Sequence, residues 1–215
     1  MSRRFLALCG CALLWGCTST TARPHPDLAA QLPAGRSIAI MPVESAAIDV
    51  GYLGDVDVLE LEAAEAARTA LQAVQRRLAE RGRAVVAAPV DEALFQREPA
   101  SRLRVTELQL AADRTMARVL RTQTPEKRDE YFGVRSVLDD LAPVASAAHA
   151  DALLFVRATQ VTTRNQYGWH EHGAEVEVLL IDASTGETLF AGDATRRSHW
   201  AIDVGALAVA ALGSL

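Results

Sequence analysis

Cysteine is absent from position 18 onward: the three cysteines of the chain are Cys9, Cys11 and Cys17. A domain that begins after them has no disulfide, no thiolate zinc site and no cysteine nucleophile. Lysine is nearly missing as well, with Lys127 alone, and the arginines are scattered. Phosphate backbones are bound by clustered cations, so this distribution and a formal charge of −5 argue against nucleic acid as a partner. No Gly-x-Ser-x-Gly elbow surrounds Ser184 or Ser198, which removes the usual setting of a hydrolase serine. No glycine-rich phosphate loop precedes a helix. Apolar runs are short too, none reaching the roughly 20 residues of a permanent membrane helix.

What is present starts at the N-terminus. Arg3 and Arg4 precede Phe5 to Trp15, eleven uncharged and mostly apolar residues, which lead to Gly16 and Cys17. A positive start, a short apolar stretch and a small residue make a secretory signal. Its removal leaves 199 residues with 20 basic against 27 acidic side chains, a charge of −7. That length suits one domain with a sizeable core. Leu14-Trp15-Gly16-Cys17 resembles the lipobox of bacterial lipoproteins, with Leu14, Gly16 and Cys17 on its pattern. The resemblance implies cleavage between Gly16 and Cys17, diacylglycerol on the Cys17 thiol and a further acyl chain on its new amine. Two or three chains anchor a protein stably at ~0.8 kcal/mol per buried methylene, whereas one holds it marginally. Thr18 stands where an aspartate would resemble the inner-membrane retention signal, so the implied address is the outer membrane; the position speaks to the membrane and not to the leaflet, with the periplasmic side expected and the cell surface the alternative. An ordinary signal peptide cut elsewhere is the competing reading.

Residues 17–36 read as a lipidated cysteine and a flexible tether, because Pro24, Pro26 and Pro33 interrupt regular structure. Ser37 to Val43 reads as a buried strand closed by Pro42, followed by an irregular stretch through Gly51 and Gly54. From Val58 to Arg81, Leu61, Ala64, Leu71, Val74 and Leu78 recur at helical spacing, and Gly82 sits where the helix should end. Ala84 to Ala88 is a second short strand, so strand, helix and strand form a βαβ unit with parallel pairing. A short helix over 91–98 and a longer one marked by Leu103, Leu108, Ala112, Met116 and Val119 follow. A polar loop is expected over 121–135 and a helix over 137–148, kinked at Pro143. The last third is β-rich: Leu153 to Thr163, Ala174 to Ile181 and Glu187 to Ala194 form an antiparallel meander. Its clearest turn is Asp182-Ala183-Ser184-Thr185-Gly186. Ala201 to Leu215 reads as a packed terminal helix.

The segments Ser37-Ile38-Ala39-Ile40-Met41-Pro42, Ala150-Asp151-Ala152-Leu153-Leu154 and the hairpin from Leu180 to Leu189 resemble bacterial envelope lipoproteins. The domains concerned are those of the curli-secretion and penicillin-binding-protein-activator type. None of these segments is a catalytic motif. The resemblance implies an α/β (α+β) domain over residues 37–215, with helices packed on a mixed sheet, an N-terminal βαβ unit and a C-terminal antiparallel meander. It also implies an assembly or scaffolding role rather than an enzyme. The expected partners are the membrane, through the lipid anchor, and an envelope protein or a second copy of the chain. No cofactor is expected beyond the covalent lipid on Cys17.

Chemistry, if there is any, belongs to Trp169-His170-Glu171-His172. On a strand His170 and His172 project to one face, and two imidazoles at that spacing can hold a zinc or copper ion once a third ligand arrives. Glu175 and His199 are the candidates for it, and His149 lies elsewhere in the chain. A periplasmic metal protein using His170 and His172 is therefore the alternative function, against a polar hairpin tip. Tyr167 and Trp169, if exposed, suit a partner contact or a membrane-interface anchor; otherwise one ring folds back on the sheet. Asp55 and Asp57, and Asp139 with Asp140, read as solvated faces. The anchor is tested by Cys17→Ser, which is expected to lose acyl labelling and leave the membrane fraction; a labelled, membrane-bound variant would contradict the lipobox reading.

Overall fold

The computed structural model describes residues 18–86, 99–121, 149–213 and 215. Within them the chain builds one mixed sheet of eight strands with four helices packed on it. In chain order these are β1 (Thr18–Pro24), α1 (Leu28–Gln31), β2 (Ser37–Ile40), β3 (Glu44–Val50), β4 (Val56–Val58) and α2 (Glu60–Glu80). Then come β5 (Ala84–Val86), α3 (Pro99–Arg121), β6 (Ala152–Arg164), β7 (His170–Asp182), β8 (Thr188–Ser198) and α4 (Val204–Leu212). The strand order is β1-β8-β7-β6-β2-β5. β2 pairs in parallel with both β5 and β6, and β3 in parallel with β6, while the pairs β6–β7, β7–β8 and β8–β1 are antiparallel. The βαβ unit and the meander expected from the sequence are both observed.

Two-residue alternation along the long strands decides which helix covers which face. Ala174, Val176, Val178 and Leu180 of β7 join Leu154 and Val156 of β6 in a core closed by α2 and α4. Leu179 and Ile181 join Leu153 and Phe155 in a second core on the opposite face, closed by Leu108, Ala112, Met116 and Val119 of α3. α2 meets the first core through Ala66, Ala70, Ala73, Val74 and Leu78. Val74 and Leu78 of the expected stripe are buried and Leu71 packs beside them, whereas in the first turns Ala66 and Ala70 take the inward positions and Leu61 is 84% exposed. α4 is capped by the Asp203 carboxylate, which accepts the Ala206 N–H. It lies so close to β8 that a Cβ on Gly192 would sit 2.1 Å from the Ala211 carbonyl oxygen.

Several expectations are corrected. The stretch taken as a tether is structured from Thr18: β1 pairs with β8 over its whole length, from Thr18 opposite Arg196 to Pro24 opposite Phe190. Its Thr, Ser and Ala residues fit a strand, and Pro24 is tolerated because β1 lies at a sheet edge, where the missing donor breaks no ladder. The irregular stretch after Pro42 is in fact β3, a turn and β4. β3 continues along β6 where β2 stops, with Ile40 opposite Leu154 and Glu44 opposite Arg157. One extra residue is thus accommodated around Pro42, which cannot donate to the ladder. β7 begins at His170 rather than near Ala174, so the hairpin tip is confined to 165–169. Cys17 and the signal, the end of the second βαβ strand, the helices over 91–98 and 137–148, the loop over 121–135 and the Asp139-Asp140 pair lie outside the described residues.

The close approach of α4 gives a test of packing. Gly192→Ala must push α4 off the sheet and is expected to cost about 1–3 kcal/mol. Gly173→Ala meets only the Val161 carbonyl at 3.7 Å and should leave the thermal midpoint nearly unchanged.

Candidate functional site

Among the described residues, β6, β7 and β8 extend beyond the helices packed on them. Buried apolar side chains on β6 end at Ala158, and on β7 they begin only at Ala174, yet the pair continues in register to Arg164 opposite His170. On the face shared with α3 this projecting half holds a groove of about 300 Å³. Its floor is Thr159, Val161, Thr163 and Gly173, and Glu171, Glu175, Thr195 and Arg197 stand around it. All are odd-numbered residues of strands whose odd positions face α3, so the groove continues the second core outward and changes from apolar to polar as it leaves the helix.

The change is marked by a charge cluster. The Arg157 Nε donates to Glu177 Oε2 at 2.7 Å, and its guanidinium lies 3.5 Å from Asp113 of α3. Glu177 is 8% exposed, so this pair is held in low dielectric and is costly to break from one side. Burial pushes the Glu175 carboxyl above its usual range and the neighbouring Glu177 charge adds to the effect. Burial also raises Glu44, with Asp113 beside it contributing repulsion and a hydrogen bond. At the other end of the sheet Asp182 moves down. Its burial is outweighed by hydrogen bonds from Ser184, Thr185 and Arg36.

The sequence-selected residues separate into two groups. His170 and His172 do share a face of β7, with ring centroids 6.3 Å apart and planes inclined by 20°. His172 Nδ1 lies 3.1 Å from Thr162 Oγ1, and His199 Nδ1 lies 3.1 Å from the His170 carbonyl oxygen. Glu175 points to the opposite face, because its position differs from theirs by an odd number, and cannot complete their ligand set. Among the described residues no group of three His, Cys, Asp or Glu is placed to hold a metal. His149 lies at the far end of β6, its carbonyl accepting from Ser37 Oγ. Ser184 donates its hydroxyl to Asp182 Oδ1 within the turn, and Ser198 Oγ accepts the Trp200 N–H. Asp57 sits opposite Asp49 in the β3–β4 hairpin, and Asp55 fills the space beside Gly51.

Tyr167 and Trp169 are exposed, at 76% and 68%. Sequence reasoning missed three companions: Tyr52 and Leu53 in the β3–β4 turn and Trp200 just after β8, all exposed. The Tyr52 hydroxyl is 3.5 Å from Gln166 Oε1, so the two turns are neighbours. No pattern within 51–55 signals this, since the contact depends on β3 pairing with β6. No described helix is long and apolar enough to cross a membrane.

The raised Glu175 pKa fixes a pH test. An unfolded glutamate titrates near about 4.3, so its folded-state contribution is favourable below that pH and is lost as pH rises through the higher folded value. Glu175→Gln is therefore expected to raise the thermal midpoint at pH 7, with the difference fading below about pH 4, where the parent glutamate is protonated too. Glu175 itself stays exposed at the groove, so the gain is small, and a lower midpoint at pH 7 would contradict this electrostatic account.

No family model matches the chain, and no curated protein matches it. Among solved structures, the lipoprotein GNA1162 from Neisseria meningitidis aligns with a TM-score of 0.45 at 17% identity, covering 82% of this chain and 95% of that one. The PelC dodecamer from Paraburkholderia phytofirmans aligns with a TM-score of 0.43 at 12% identity, covering 93% and 98%.

Proposed function

We propose that the protein is a lipid-anchored module of the bacterial envelope, held at the outer membrane on its periplasmic side. There it binds a protein partner or a second copy of itself and catalyses no reaction. The observation that carries this reading is the projecting half of β6, β7 and β8, whose α3-side face carries, among the described residues, a groove of about 300 Å³ lined by apolar, hydroxyl and charged side chains. Two more side chains of its wall, Thr195 and Arg197, come from β8, so both charge signs and several hydroxyls border one strip of sheet. Such a surface suits an extended or irregular protein segment bound through a polar, hydrated contact. The candidate nucleophiles support the same reading. The Ser184 and Ser198 oxygens already serve their own turns, and His172, which lies opposite Ser198 in the β7–β8 register, has its Nδ1 beside Thr162 Oγ1.

A photo-cross-linking side chain at Thr195, on the groove, is expected to trap a discrete protein-sized adduct in intact envelopes. The same group at Glu80, on the exposed C-terminal turn of α2, should not. Equal labelling at the two positions, or no adduct at Thr195, would contradict a binding role for the groove.

A further inference from the structure

The geometry points to the end of the sheet that carries Tyr52, Leu53, Tyr167, Trp169 and Trp200 as a membrane-contact surface, seated in the interfacial layer of the bilayer. This placement rests on lipidation of Cys17.

Two independent observations meet there. The first is the set of side chains. Six of the nine large apolar or aromatic side chains exposed among the described residues lie at this end, Val56 joining the five named. They come from three segments that touch. The β3–β4 turn reaches the β6–β7 tip through Tyr52 and Gln166, and His199, next to Trp200, reaches the His170 carbonyl. Leu53 is 88% exposed and Trp200 68%, so the rings are presented outward rather than folded onto the sheet. Tyrosine and tryptophan have an apolar body and one polar atom, the combination that concentrates at the level of lipid headgroups.

The second observation is where the chain begins. β1 is antiparallel to β8, so Thr18 lies opposite Arg196, toward the end at which β8 gives way to His199 and Trp200. Through Arg196, Ala174 and Gln160 the register of Thr18 falls four residues short of Arg164, the last residue of β6. That is a separation along the strands of about 13 Å. Cys17 is one peptide away, about 3.8 Å between Cα atoms. With residues 18–24 fixed in the sheet, the anchor has no slack and draws this end, and no other, onto the lipid. A peripheral surface held by acyl chains and studded with aromatic residues adds its own apolar burial to that of the anchor.

The mature chain supplies its own probe. Of the three tryptophans, Trp15 is removed with the signal, and Trp169 and Trp200 remain. The full chain is expressed with its signal, and the processed protein is reconstituted into vesicles of phosphatidylethanolamine and phosphatidylglycerol. Part of the lipid is brominated high on the acyl chains. Mass spectrometry of the N-terminal peptide establishes acylated Cys17 in the same sample. Tryptophan emission is expected to shift to the blue on reconstitution and to lose intensity with brominated lipid; Trp169→Phe and Trp200→Phe should each retain quenching from the other ring. Acylated, vesicle-bound protein whose emission ignores the bromine overturns the proposal. A blue shift without bromine quenching overturns it in favour of contact with a second copy. Unmodified Cys17 overturns the anchor reading itself, and the placement falls with it.

Discussion

Everything distinctive about this molecule depends on the continuous antiparallel pairing of β6 with β7. Thirteen residues of each strand remain in register, from Ala152 opposite Asp182 to Arg164 opposite His170. The proximal half is buried on both faces, with Val176, Val178 and Leu180 turned to α2 and α4 and Leu179 and Ile181 turned to α3. A one-residue slip would exchange these two sets and place Glu175 and Glu177 in the α2–α4 core, so the register is strongly specified. The distal half is carried outward by the same pairing with little apolar burial of its own, which leaves it free to present a groove and an aromatic tip. β3 and β1 depend on this frame in turn, one extending along β6 and the other along β8.

The interaction that separates the two halves is ionic. Arg157 holds Glu177 and approaches Asp113 where the second core ends. A buried pair of this kind adds little net stability against an apolar substitute but penalises any arrangement that strips one partner. Glu175, one step farther out on the same face, is exposed at the groove, where partial desolvation and the Glu177 charge push its carboxyl up.

Much of the architecture was legible in the sequence. Ser37 to Ile40, the α2 periodicity, Leu153 onward and the Asp182-to-Glu187 turn place the βαβ unit and the meander, because apolar alternation and turn chemistry are local signals. What was not legible depends on partners distant in sequence. Thr18 to Pro24 has no apolar pattern and becomes a strand only because β8 offers an edge. Glu44 to Val50 likewise becomes a strand only beside β6. The candidate site followed the same rule. Tyr167, Trp169, His170 and His172 stand out as residue types, and the shared face of the two histidines follows from spacing alone. Tyr52 and Trp200 join Trp169 only through the register of the sheet, and the groove gathers side chains of three strands that no local pattern aligns.

The revision of residues 18–24 from tether to strand changes what an anchor on Cys17 would accomplish. A flexible tether of twenty residues would let the domain range about 25 Å from the bilayer; a strand starting at Thr18 holds it against the headgroups in one orientation. Neutron reflectometry of the acylated protein on a supported bilayer tests this most directly. The account predicts a protein layer in contact with the headgroup region, with no solvent layer between them. A hydrated gap of tether dimensions beneath the protein would contradict it.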